Sequence, residues 1–133
     1  MKKFLLFVVL LFLTTPVCAE VTQQSGETPQ TPAATFSLCQ KTFIKQSEPF
    51  FYVVLSSIAK NNYKIEEIQS KNGLIIFKVY NKEFLANVTK VDFKTTLLKI
   101  TPVDNSYNFP YSIVENLFKT IESDLWQDIY KLN

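Results

Sequence analysis

The chain contains no histidine and no arginine, and its 133 residues include only two glycines. Without imidazole there is no Ser-His-Asp triad, no ordinary general base near neutral pH, and no common zinc or transition-metal site. Without guanidinium there is no bidentate clamp for phosphate or carboxylate. Two glycines cannot build a phosphate-cradling loop. The chain therefore reads as a non-enzyme that needs no cofactor and no metal.

Charge is equally spare. The formal net charge is +2. Two of the 14 basic residues, Lys2 and Lys3, lie in the opening segment, leaving 12 lysines against 12 acidic residues. A neutral body offers no field for a polyanion, so nucleic acid is not an expected partner.

What is present begins with an export address. Lys2 and Lys3 precede an unbroken apolar run over residues 4–13, and Val17 and Ala19 occupy the −3 and −1 positions of a signal-peptidase site. The run is shorter than the ~20 residues a spanning helix requires. Residues 1–19 are expected to be a signal peptide cut between Ala19 and Glu20, which sets the protein in the periplasm, the cell envelope or the medium. Cys18 lies where a lipoprotein would carry its lipid, but Thr15-Pro16-Val17 matches a lipobox poorly.

Residues 20–35 are polar and hold Pro, Gln and Thr with little to bury, the composition of a disordered linker. Residues 36–133 form the single domain. Cys39 is the one cysteine left there. It lacks an intrachain disulfide partner and a histidine to activate it, so a buried thiol is expected.

Within the domain, residues 36–45 alternate loosely, as an extended segment or edge strand does. A helix follows, with Ser47 as N-cap and pairs such as Phe50/Phe51, Val54/Leu55 and Ile58/Ala59 recurring every four residues. Four strands come next. Asn72-Gly73 signals a tight hairpin, Asn81-Lys82 a second turn, and Asp92-Phe93-Lys94 a third. The off-beat positions Lys64, Lys78, Asn87 and Lys99 are polar, giving one wet and one dry face. A second helix starts near Pro110, with a capping box over residues 112–115 and an apolar stripe through Ile113, Leu117, Ile121 and Leu125. The expected fold is α+β in two layers: helix, four-stranded antiparallel meander, helix, with both helices on one face of the sheet.

Three local features invite chemistry. Asp124 and Asp128, with Glu122 nearby, could pair carboxylates for acid–base work, though an exposed helix face explains them as well. Asn87-Val88-Thr89 matches a glycosylation sequon but falls inside a strand. Tyr107, Phe109 and Tyr111 crowd before the last helix, either lining a contact groove or stapling the helix entry; Trp126 and Tyr130 either extend that patch or cap the core.

The run Val54-Leu55-Ser56-Ser57-Ile58-Ala59-Lys60-Asn61-Asn62-Tyr63-Lys64-Ile65, followed by Gly73-Leu74-Ile75-Ile76-Phe77, resembles a pattern in small bacterial exported and envelope domains. In outline it is similar to the helix-grip accessory domains of lipoproteins that serve outer-membrane protein assembly. The likeness covers residues 47–123. It implies an envelope accessory domain, no catalytic activity, and no particular functional residue. The expected role is thus an exported protein-binding or accessory module whose partner is another envelope protein. The alternative is a carrier of a small apolar ligand or lipid between sheet and helices.

Overall fold

The computed structural model describes residues 32–131. The expected signal peptide, the expected cleavage site at Ala19 and Glu20, Cys18 and most of the expected linker lie outside these residues. Strand β1 (Gln40–Phe43) leads into helix α1 (Ser47–Lys60), followed by β2 (Lys64–Gln69), β3 (Leu74–Val79), β4 (Lys82–Lys90), β5 (Thr96–Pro102) and helix α2 (Ser112–Lys131). The architecture is α+β, with an antiparallel sheet and two helices.

The sheet has five strands rather than four, in the order β1-β5-β4-β3-β2. Strands β2 to β5 form the expected meander, and β1 adds outside β5, pairing Gln40 with Lys99 and Phe43 with Thr96. Loose alternation over residues 36–45 was a weak strand signal because only four residues pair; the preceding residues 36–39 form a turn. Since β1 and β2 occupy opposite edges, the β1–α1–β2 connection carries α1 across the dry face.

Period-two patterning sets that face. In β3, Ile75, Phe77 and Val79 are buried while Leu74, Ile76 and Lys78 are only partly covered. In β4, Phe84, Ala86 and Val88 point the same way, paired across the ladder with Phe77, Ile75 and, in β5, Leu98. Against this layer α1 sets Phe50, Phe51, Val54 and Ile58, and α2 sets Ile113, Val114, Leu117, Phe118 and Ile121. Burying a side chain of this size is worth about 1.5–3 kcal/mol.

Element ends differ from the sequence reading. Gln46, with φ −64° and ψ 143°, is the N-cap of α1, and Ser47 is already helical. Asn72-Gly73 is not a two-residue hairpin: a 3-10 turn at Ser70–Asn72 joins β2 to β3, and Gly73 closes it with φ +67°. The β3–β4 turn is Tyr80-Asn81 rather than Asn81-Lys82, with Tyr80 at φ +56°. At the start of α2, the Tyr111 carbonyl accepts the Val114 and Glu115 N–H groups, each at 2.9 Å. The last residues assigned to the linker join the body: Ala34 is buried, and its N–H donates to the Phe109 carbonyl at 3.2 Å.

Candidate interaction surface

The aromatic segment before α2 is divided by the fold. Phe109 is in the core, edge-on to Phe84 at 4.9 Å between ring centroids. Phe84 stacks on Phe77 at 5.4 Å, and Phe77 on Tyr63 at 5.9 Å. On the other side Phe109 stacks on Tyr107 at 6.0 Å, and Tyr107 meets Phe36 edge-on at 6.4 Å. Six rings thus run in series from the β2 edge to the turn before β1. Aromatic pairs at such spacing add about 0.5–1.5 kcal/mol each beyond their buried area. Tyr63 is fixed at its end by donating its hydroxyl to the Ile113 carbonyl at 3.1 Å. Tyr107 and Tyr111 are half-buried, and burial raises the pKa of both phenols.

Trp126 and Tyr130 sit elsewhere, roughly four turns along α2 from Tyr111. Trp126 is 62% exposed and Tyr130 76% exposed. At about 100° per residue, they fall on the side of α2 opposite Leu117 and Ile121, which are fully buried. They do not cap the core. The same outward side carries Glu115 and Lys119 near the start of the helix, joined as an i,i+4 ion pair at 3.1 Å. The outward face of α2 therefore changes from charged to aromatic along its length, and Ile129 is exposed beside the aromatic end.

The carboxylates also separate. Asp124 faces α1: its Oδ1 lies 2.6 Å from the Lys60 ammonium, and its Oδ2 accepts from the buried Ser57 hydroxyl at 3.3 Å. One turn earlier Asn61 Nδ2 donates to Thr120 Oγ1 at 3.0 Å. These contacts form a polar seam between the helices. Glu122 pairs with Lys41 of β1 instead, and Asp128 is exposed beside the seam. The residues of the seam are spread over two helices, so sequence spacing alone did not bring Ser57 and Asp124 together.

Cys39 is 1% exposed, and burial pushes its thiol up to about 11. A thiol held protonated in the core is neither a nucleophile nor available to a second chain. Asn87 lies on the uncovered sheet face, where Thr89 Oγ1 donates to its Oδ1 at 3.0 Å. Among the described residues, no three His, Cys, Asp or Glu side chains are grouped to hold a metal ion. No described helix is long and apolar enough to cross a membrane.

Surface hollows are open grooves. One of about 460 Å³ lies between the start of α1 and the β2–β3 turn, walled by Tyr52, Lys71 and Lys90. Another of about 330 Å³ runs between β1 and α2, past Gln40, Lys41, Tyr111 and Glu122. No protein-family model matches the chain, and no curated protein matches it.

Proposed function

We propose that this protein is a non-catalytic contact module of the bacterial envelope, which docks another exported protein on the aromatic end of α2. The observation that carries this reading is the outward orientation of Trp126 and Tyr130, away from the core they would otherwise serve. The packed stripe of α2 ends at Ile121 and half-buried Leu125, and residues 126–131 are exposed all round, so these aromatic side chains have no packing role, whereas Trp and Tyr dominate contact energies at protein interfaces. The envelope setting rests on the export address at residues 1–19 and on the resemblance to exported accessory domains.

The non-catalytic part is supported by where the reactive groups sit: the Cys39 thiol is buried and protonated, and Asp124 is held by Lys60 and Ser57. The carrier alternative is less well supported, because the ring series and the α1 side chains fill the space between sheet and helices.

The test is site-specific photo-crosslinking in the organism's own cells. A photoreactive residue at Trp126 or Tyr130 is expected to yield one discrete adduct with an exported protein. The same residue at Thr101, on the open sheet face, should not. Equal adducts at all three positions, or none at any, would refute the docking surface. Recovery of the protein from the cytosol with Met1 in place would refute the envelope setting.

A further inference from the structure

The two edges of the sheet are not alike. At the β2 edge, Lys64, Glu66 and Glu67 are exposed and the register slips between Ile65 and Glu67, leaving Glu66 as a bulge. Charges and bulges are the devices that stop an edge from pairing with another strand. The β1 edge has neither a bulge nor a row of charges. Its single charge, Lys41, is paired with Glu122 of α2, and both side chains stay partly exposed.

The hydrogen-bond phase of β1 is determined by the bond from the Ile100 N–H to the Cys39 carbonyl, 2.8 Å long. In an antiparallel ladder bonded pairs alternate, so Lys41 and Phe43 face β5, and Gln40 and Thr42 turn their N–H and C=O groups outward. Among the described residues no backbone group pairs with them. Just past the strand, Ile44 is 87% exposed.

We infer that β1 pairs with β1 of a second copy, antiparallel about Thr42, to give a continuous ten-stranded sheet across a two-fold axis. The sequence of the edge is self-complementary in this register. Thr42 faces its own equivalent, Gln40 faces Ile44 of the second copy, and Lys41 faces Phe43 of the second copy. Lys41 is thereby kept from meeting its own equivalent, which like charge would penalise. Its ammonium lies 5.9 Å from the centroid of the Phe43 ring of its own chain, an intrachain contact that this pairing leaves in place. Charge compatibility and coverage of Ile44 select a second copy over an unspecified strand. This inference is independent of the Trp126 surface, which points away from the core along α2.

Cysteine trapping of the natural chain, purified as its own cells leave it, tests the register. About the Thr42 axis the two Thr42 Cα atoms lie ~5.5 Å apart, within disulfide reach. Thr42→Cys should oxidise to a covalent dimer, whereas Gln40→Cys and Lys41→Cys should not. Light scattering of the unmodified protein should report twice the chain mass, and Thr42→Pro should halve it. That variant removes an N–H that β5 does not use, so its thermal midpoint as a monomer is the check that it folds. A monomer by light scattering at every concentration up to ~100-fold above that in cells, or trapping at Gln40 or Lys41 in place of Thr42, would overturn the inference.

Discussion

The Lys60 ammonium lies 2.6 Å from Asp124 Oδ1, and the same carboxylate reaches the buried Ser57 hydroxyl through Oδ2 at 3.3 Å. This contact closes the seam between the two helices. Lys60 is about half exposed, so its Coulomb share is small. Asp124 is only 16% exposed and also serves a buried hydroxyl, whose other acceptor is the Val53 carbonyl at 2.8 Å. Asp124→Ala is expected to cost about 1–2 kcal/mol in urea denaturation. A double-mutant cycle with Lys60→Met should assign no more than ~1 kcal/mol to the ion pair itself. Asp128→Ala should change stability by less than ~0.5 kcal/mol.

Gly73 is required twice over. Its φ of +67° is a conformation L side chains rarely adopt, and an added Cβ would stand 2.4 Å from the Val88 carbonyl oxygen. The approach is close because the Gly73 carbonyl accepts the Val88 N–H at 2.8 Å. Gly73→Ala should therefore cost about 2–4 kcal/mol, combining left-handed strain with displacement of β4. Asn72→Ala, on the neighbouring 3-10 turn, should cost under ~1 kcal/mol. Chemical denaturation of both variants distinguishes the two.

How far the sequence could be read follows from which interactions are local. The α1 and α2 stripes and the β3–β4 alternation were legible because burial repeats along one segment, and Phe50, Phe77 and Leu117 are where periodicity put them. The place of β1 was not, since a four-residue strand is held by its partner β5, which comes more than fifty residues later. The Asn72-Gly73 signal identified a turn but not its length, which depends on where Gln69 and Leu74 pair. For the candidate site, the outward phase of Trp126 and Tyr130 relative to Leu117 was present in the spacing of α2. Their separation from Tyr107 and Phe109 was not, because it depends on Phe109 packing against Phe84 of β4.

Cys39 makes stability depend on alkaline pH. Its thiol ionises at 9.0 when unperturbed and at about 11 in the fold. Its contribution is fully present below pH 9.0, where the thiol is protonated in both states. As pH rises from there the unfolded chain releases its proton first, and stability falls until about pH 11. Two pKa units correspond to ~2.7 kcal/mol at most. Cys39→Ala should flatten the loss of thermal stability across this window. The slope will not vanish, because burial also raises the phenols of Tyr63, Tyr107 and Tyr111. Peptide mapping after iodoacetamide treatment at pH 8 should find Cys39 unmodified in the folded protein and modified once it is denatured.

Tyr80 holds a left-handed backbone at φ +56° while its side chain is 88% exposed, at the turn that leads from β3 to β4. A bulky residue in this region carries strain of about 1–2 kcal/mol, and so exposed a ring recovers little of it by packing. Asparagine tolerates the conformation far better. Tyr80→Asn should raise stability by about 0.5–1 kcal/mol in denaturant titration. Tyr80→Gly should gain less, because glycine also gives the unfolded chain more freedom to lose. A loss of stability in both variants would mean that the ring makes contacts in solution strong enough to outweigh the backbone strain.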